Sequence, residues 1–98
     1  MTHPYLGDKP SKVKVYGDGL NSGWRNKHNS IFVDFRDSGL GELSLFVEGP
    51  SKAEVSMRQK QYGISEIDYV CSKSGKYKFY LRFDSQDIPG SPFQVRVI

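Results

Sequence analysis

The residues best suited to chemistry are two histidines and one cysteine, and their spacing decides whether they can act together. His3 and His28 are far apart and match neither an HExxH motif nor any other paired-ligand spacing. We therefore expect no metal site, and we interpret His28 as a solvated imidazole in a polar loop. Because Cys71 is the single cysteine, neither an internal disulfide nor a four-thiolate zinc site is available.

Two further patterns have the composition of functional sites but lack the required context. The segment 72–76, Ser-Lys-Ser-Gly-Lys, resembles a phosphate-binding loop, but Val70 stands where the first glycine of a Walker A motif belongs. No helical pattern follows it, so the helix N-terminus that would bind phosphate is missing. Glu66 and Asp68 fall on the outward face of a predicted strand, where carboxylates are usually solvated. We therefore predict a non-enzymatic protein without a cofactor.

The composition describes one small folded domain with a mixed-charge surface. The 98 residues include six Phe, six Tyr and one Trp, enough large apolar rings to build a core and too many for a disordered chain. The net charge of +3 arises from 14 basic and 11 acidic residues that are interspersed along the chain, so we expect no nucleic-acid partner. No apolar run approaches the ~20 residues of a membrane-spanning helix, so we expect no direct membrane insertion.

Alternation of apolar and polar residues with a period of two dominates the chain and predicts strands. The predicted inward-facing residues are Ile31, Val33, Phe35, Leu43, Leu45, Val47, Ala53, Val55, Met57, Ile67, Tyr69, Cys71, Tyr77, Phe79, Leu81, Phe83, Phe93, Val95 and Val97. On this interpretation Cys71 is a small buried hydrophobe. By contrast, Phe46 lies on an outward face with Ser44 and Glu48. No stretch keeps the helical spacing for three turns, so we predict no substantial helix.

About seven short strands separated by turns predict an all-β fold, an immunoglobulin-like antiparallel β-sandwich. The segment 74–79 resembles a tyrosine corner, with Phe79 where an antibody domain would carry its second cysteine. We interpret 72–75 as a hairpin-type connection and 37–41 as a turn. Residues 1–10 are interpreted as a leader or linker, and residues 11–98 as the domain.

Five short motifs, in this order along the chain, resemble those of the filamin-type immunoglobulin-like repeat. They are Gly17-Asp18-Gly19-Leu20, Ser38-Gly39-Leu40-Gly41 followed by Leu43, Glu48-Gly49-Pro50-Ser51-Lys52-Ala53-Glu54, Gly75-Lys76-Tyr77 and Ile88-Pro89-Gly90-Ser91-Pro92-Phe93. The Gly-Pro-Ser and Ile-Pro-Gly-Ser-Pro-Phe motifs at this separation form the most distinctive pair. Their prolines fix φ where no strand pairing needs an N–H donor. The matches extend from Lys12 to Val97, nearly the whole chain.

The resemblance implies a protein-interaction repeat of a cytoplasmic, cytoskeletal actin-crosslinking scaffold. In such rods actin is bound elsewhere in the parent protein, and neighbouring repeats are partners. Some repeats bind the cytoplasmic tails of membrane receptors such as integrins, or cytoskeletal adaptors, as an extra strand beside the third strand. The groove residues that the resemblance implies here are Leu43, Ser44, Leu45, Phe46, Val47, Glu48, Ala53, Val55 and Met57.

Two alternatives to peptide binding are open from the sequence. A passive spacer repeat in a cytoskeletal rod would carry the same edge strands, because every sandwich has edges. An RNA-binding domain, such as the filamin-like module of some RNA-regulatory ubiquitin ligases, is disfavoured by the scattered charge. Phe46 separates the first two functions, because its ring is either exposed to a partner or covered by a loop or another repeat. Phe46 also departs from the family pattern, in which a smaller residue is frequent at this position.

Overall fold

The computed structural model describes residues 12–38 and 41–98, and its extended regular elements are β-strands. The leader predicted over 1–10, His3 and the centre of the predicted turn, Gly39 and Leu40, lie outside the described residues. The strands are β1 Lys14–Tyr16, β2 Ser22–Gly23, β3 Asn29–Asp34, β4 Leu43–Glu48, β5 Ala53–Gln61, β6 Ile64–Cys71, β7 Gly75–Phe83, β8 Gln86–Asp87 and β9 Phe93–Val97.

The strands form two sheets, which confirms the predicted β-sandwich. The first sheet has the order β1-β3-β6-β5, and the second has the order β2-β9-β7-β4, with β8 paired to β7. Strands β2 and β8 have two residues each and are too short to show alternation, so the sequence indicated only the seven longer ones. The β2–β9 pair is parallel, so the sandwich is not purely antiparallel.

The prediction of a hairpin-type connection at 72–75 is wrong. Strand β6 lies in the first sheet and β7 in the second, so the chain crosses between the sheets at this point. Two-residue hairpins lie instead between β5 and β6, where Gln61 pairs with Ile64 around Tyr62 and Gly63, and between β7 and β8, where Phe83 pairs with Gln86. Gly63 has a φ of 78°, a left-handed conformation that glycine adopts without a steric penalty.

The core lies between the sheets and consists of the inward faces of β3, β6, β7 and β9, together with Ile88 from the turn after β8. Its fully buried side chains are Ile31, Val33, Ile67, Tyr69, Cys71, Tyr77, Phe79, Leu81, Phe83, Ile88, Val95 and Val97. The rings of Tyr69 and Phe79, one from each sheet, meet with centroids 4.8 Å apart. Phe35 lies just beyond the end of β3 and packs against Phe83 at 5.9 Å. The predicted inward faces of these four strands are thus confirmed, with Phe93 only half-buried.

Candidate functional site

Two neighbouring strand edges are open on one side of the sandwich. Among the described residues, β4 is hydrogen-bonded only to β7 and β5 only to β6, so each ends its sheet. Between them lies a groove of about 670 Å³, which we call the edge groove. It is lined by Leu45, Phe46, Val47, Lys52, Ala53, Glu54, Val55 and Met57. An open edge presents unpaired backbone N–H and C=O groups to any strand that lies beside it.

The wall of the edge groove on β5 is apolar and half-exposed. Val55 is paired with Tyr69, and Met57 with Ile67, across the β5–β6 ladder. The two β6 residues are completely buried, whereas 38% of the surface of each β5 residue is exposed. The predicted orientation of Val55 and Met57 toward the inside is therefore right, but no described strand covers them. They present apolar surface to the groove that an inserted side chain would bury.

The two faces of β4 differ in exposure, because one points between the sheets and the other points outward. Leu43, Leu45 and Val47 point between the sheets and are half-buried. Phe46 points outward and is 63% exposed, and its ring packs on Tyr80 with centroids 5.7 Å apart. No described loop covers the ring, so the alternative in which a loop of this chain hides Phe46 does not apply to this part of the chain.

A hydrogen-bonded pair of a hydroxyl and a carboxylate lies next to Phe46 on the same outer face. The Tyr80 hydroxyl donates a hydrogen bond to Glu48 Oε1 at 3.2 Å. Partial desolvation raises the pKa of Tyr80, and the adjacent Glu48 carboxylate raises it further because both disfavour the phenolate. At neutral pH this phenol is therefore a fixed donor that keeps the Glu48 carboxylate at the end of β4.

The turn that joins β4 to β5 is built around Tyr77. The Tyr77 hydroxyl donates to the Lys73 carbonyl at 2.7 Å, so the predicted tyrosine corner is present. Because the Tyr77 hydroxyl proton already points to the Lys73 carbonyl, the Ser51 hydroxyl, 2.6 Å away, donates to the Tyr77 oxygen. A Cβ at Gly49 would collide with the Tyr77 ring. The Gly-Pro-Ser motif thus lets the chain wrap a core tyrosine and places β5 beside β4.

The Ile-Pro-Gly-Ser-Pro-Phe motif supports the strand that holds β4. Ile88 is buried in the core, and its N–H donates to the Leu81 carbonyl at 3.1 Å. Ser91 Oγ accepts the Leu81 N–H at 2.9 Å, and Gly90 has a φ of 93° in the intervening turn. On its other side Leu81 pairs with Leu45 of β4. The turn therefore fixes β7 and, through it, the position of the groove edge.

The structure brings six of the nine predicted site residues to the edge groove and places three elsewhere. Leu45, Phe46, Val47, Ala53, Val55 and Met57 line it. Leu43, Ser44 and Glu48 do not, since Ser44 and Glu48 point to the outer face of β4 and Leu43 lies at its start. Lys52 and Glu54 also line the groove but were not among the predicted site residues. Their positions on either side of Ala53, which was predicted, could have indicated them.

The polar residues that could suggest catalysis already have side-chain partners. His28 is exposed in a polar loop, so the predicted solvated imidazole is confirmed, but its Nδ1 also lies 2.8 Å from Asp68 Oδ2, a contact that the sequence did not predict. Glu66 accepts a hydrogen bond from Ser30 at 2.8 Å, which, with nearby basic side chains, lowers the pKa of its carboxyl group. The prediction that Glu66 and Asp68 face outward is right, but both are half-buried.

Neither metal nor thiol chemistry finds support in the described residues. Over 12–38 and 41–98, no three His, Cys, Asp or Glu side chains gather closely enough to hold a metal ion. Cys71 is free and buried, as predicted. Burial raises the pKa of its thiol because the thiolate would lose its solvation. The thiol therefore behaves as a core side chain rather than as a nucleophile.

The two-sheet sandwich, its tyrosine corner and its open β4–β5 edge define an immunoglobulin-like module. Comparison with known families specifies which one, because residues 8–94 match the Filamin/ABP280 repeat. The chain belongs to the filamin repeat family, a family of structural and interaction domains rather than of enzymes.

Relatives in sequence come from much longer proteins. The chain is 40% identical to Filamin-A of Drosophila melanogaster over 91 residues, which cover 93% of this chain and 4% of that protein. It is 41% identical to Filamin-C of Rattus norvegicus over 85 residues, which cover 87% of this chain and 3% of that protein. The chain thus spans only a few per cent of the length of these relatives.

Solved structures support the fold. The filamin domain of Lin-41 superposes with a TM-score of 0.82 at 24% identity, covering 94% of this chain and 97% of that one. The Escherichia coli adhesin FdeC superposes with a TM-score of 0.62 at 24% identity, covering 97% of this chain and 32% of that one. At this identity the likeness concerns fold alone. Within the described residues, no helix is long and apolar enough to cross a membrane.

Proposed function

We propose that this repeat binds extended peptide segments by adding them as a strand to the free edge of β4. The observation that carries the proposal is the open edge of β4 directly beside an apolar groove. A peptide there would pair its backbone with the unpaired groups of β4, which gives affinity with little dependence on sequence. Affinity of this kind suits a module that recognises several partners.

Side-chain alternation in the added strand supplies the specificity. Every second residue of the peptide would point into the edge groove and contact Val55 and Met57. Because the groove is bounded by two closely placed strands, small or β-branched apolar side chains are the expected occupants. The other residues would lie on the outer surface beside Phe46. The acidic Glu48 and Glu54 favour a basic flank, although exposed charges contribute little.

The family membership indicates where such a peptide would come from. The proposed partners are cytoplasmic tails of integrin-like membrane receptors or segments of cytoskeletal adaptors, with actin bound elsewhere in the parent protein. The repeat would span residues 11–98, with 1–10 as a linker and neighbouring repeats as further contacts. On this proposal the protein acts in the cytoplasm, at the cytoskeleton.

Backbone methylation of the peptide tests the binding mode directly. An extended peptide of alternating valine and serine would be titrated into the labelled chain while amide chemical shifts are followed. In an added strand, the N–H groups of alternate residues face β4 and the others face solvent. N-methylation of one alternate set should therefore abolish binding, whereas methylation of the other set should leave it. Equal effects of the two methylated peptides would rule out strand addition.

Variants of the chain locate the site. Met57→Glu places a charge in the apolar wall and should weaken peptide binding about tenfold or more. Gln94→Glu adds the same charge on β9, outside the groove, and should leave the affinity unchanged. Shifts confined to β1 or to the turn at 88–92, with 43–57 silent, would contradict the proposal. Absence of binding to any alternating peptide would favour the spacer function.

A further inference from the structure

The outer face of the second sheet carries a group of cations that the fold does not neutralise. Lys76 and Lys78 point outward from β7 and Arg96 from β9, and all three are exposed. Lys76 lies directly opposite Arg96 in the β7–β9 ladder. Like charges in such a pair repel and destabilise the sheet. We call these three residues, together with Phe46 and Tyr80, the basic-aromatic face.

The outer face of the first sheet shows the opposite arrangement. Two of its acidic residues meet basic partners there: Asp34 lies 2.8 Å from Arg36, and Glu66 lies 3.6 Å from Arg58 and 3.5 Å from Lys60. On the second sheet, Arg82 is neutralised by Asp87 at 3.0 Å.

The three cations of the basic-aromatic face differ from all of these. The side chains of Lys76, Lys78 and Arg96 make no hydrogen bond or ion pair within 12–38 and 41–98. Glu48 is the register neighbour of Lys78, but its carboxylate accepts the Tyr80 hydroxyl instead. Three positive charges therefore remain available to a partner.

An exposed aromatic pair adjoins these cations. Phe46 and Tyr80 are direct neighbours across the β4–β7 ladder, and their rings pack at an interplanar angle of 45°. A cleft of about 380 Å³ lies beside them, bordered by Ser44, Leu45 and Arg82. Aromatic side chains held on a rigid sheet lose little entropy on binding, and such residues dominate the energetics of many interfaces.

We propose that the basic-aromatic face binds an acidic peptide segment that carries an apolar anchor residue. The anchor residue of the peptide would enter the cleft beside Tyr80 and cover the exposed surface of Phe46. Carboxylates on the same segment would pair with Lys78, Lys76 and Arg96, which relieves the repulsion between the last two. The proposal does not depend on strand addition at β4, because it uses outward-facing side chains rather than backbone groups.

Charge distribution favours an acidic peptide over a nucleic acid. Glu48 and Asp87 flank the aromatic cleft and would repel a continuous phosphate backbone. A nucleic-acid site also combines more phosphate contacts with rings that stack on bases, whereas the Phe46 ring already packs against Tyr80. A peptide can place its carboxylates beside the three free cations alone.

Fluorescence anisotropy with defined peptides tests this surface on the whole chain. The probe is a labelled peptide of glutamates around one central tryptophan, and the matched control peptide has glutamine at each glutamate. The acidic probe should bind more tightly, and its affinity should fall as salt is added. Equal binding of the two peptides would overturn the proposal, as would tighter and more salt-sensitive binding of a single-stranded oligonucleotide.

Four variants assign the binding to this face. Lys76→Glu removes one cation and can pair with Arg96, so the fold is preserved; affinity should fall about fivefold. Phe46→Ala should weaken the probe about tenfold. Lys27→Glu makes the same charge change in a turn and should have no effect. Met57→Glu, which blocks the edge groove, should also leave this probe unaffected. If Lys27→Glu or Met57→Glu weakens the probe as much as Lys76→Glu, the site lies elsewhere.

Discussion

Strands β5 and β6 are hydrogen-bonded neighbours with the same alternation, yet they carry out different tasks. On β6, Ile67 and Tyr69 are completely buried, whereas their partners on β5, Met57 and Val55, are each 38% exposed. The side chains are apolar in both strands. What differs is the position in the sheet, because β6 has neighbours on both sides and β5 on one. Residues that maintain the fold and residues available to a partner therefore lie on adjacent strands of the same sheet.

In the second sheet the contrast lies between the two faces, because Phe79 points into the core whereas Phe46 points outward. Phe79 on β7 is fully buried, whereas Phe46 on the adjacent β4 is 63% exposed. The backbone supports both equally well, since β4 and β7 are paired along six residues. Stability and binding should therefore respond separately to substitutions on neighbouring strands, and the predictions below test that separation.

The largest expected effect is the loss of stability when Phe79 is truncated. Phe79→Ala removes a fully buried ring that contacts Tyr69, and should lower the free energy of unfolding by about 3–5 kcal/mol. Phe46→Ala, the matched change on β4, should cost less than about 1 kcal/mol, because it removes only an exposed ring contact. Urea unfolding of both variants measures the difference. Similar losses would show that β4 and β7 share one packing environment.

The core was predictable from the sequence because burial on two-sided strands follows alternation alone. For β7, the pattern from Tyr77 to Phe83 specified which residues are buried, and the structure agrees. The crossing at 72–74 was not predictable in the same way. A short polar segment ending in glycine can close a hairpin or carry the chain to the opposite sheet, and the choice depends on which strands pair.

The groove was predictable only in part for the same reason. Alternation gives the direction of Val55 and Met57 but does not say whether another strand covers them. The family resemblance supplied that information for β4 and β5. Contacts between distant polar residues were missed altogether: His28 and Asp68 are 40 residues apart in the chain, and the β3–β6 pairing brings the loop before β3 next to β6.

A second, smaller effect compares the contribution to stability of a buried tyrosine hydroxyl with that of an exposed one. The Tyr69 hydroxyl donates to the Gly19 carbonyl at 2.7 Å inside the protein. Tyr69→Phe leaves that carbonyl unpaired and should cost about 1–3 kcal/mol. Tyr80→Phe removes a hydroxyl that bonds to exposed Glu48, and should change stability by less than about 0.5 kcal/mol. Thermal unfolding compares the two, and equal shifts would contradict the assignment of Tyr69 to a closed interior.

Alkaline pH sharpens the same comparison. Burial raises the pKa of Tyr69 because the phenolate would be poorly solvated. The folded chain therefore keeps this proton at a pH at which the unfolded chain, with a tyrosine pKa of about 10, releases it. The resulting contribution to stability is present below pH 10 and declines above it. Tyr69→Phe should lack this decline. The difference in the free energy of unfolding between the parent chain and the variant should therefore become smaller between about pH 10 and 11.

The smallest expected effect concerns Cys71, which pairs with Ala53 across the boundary between buried and half-exposed strands. Cys71→Ala removes one sulfur atom from the core and should cost on the order of 1 kcal/mol, while peptide binding at β4 is retained. Because burial both shields the thiol and raises its pKa, an alkylating reagent should modify it only after unfolding. Addition of urea should therefore accelerate labelling in step with the unfolding transition. Rapid labelling of the folded chain would show that Cys71 on β6 is accessible to solvent, as Val55 and Met57 on β5 are, and would contradict the distinction between the two strands.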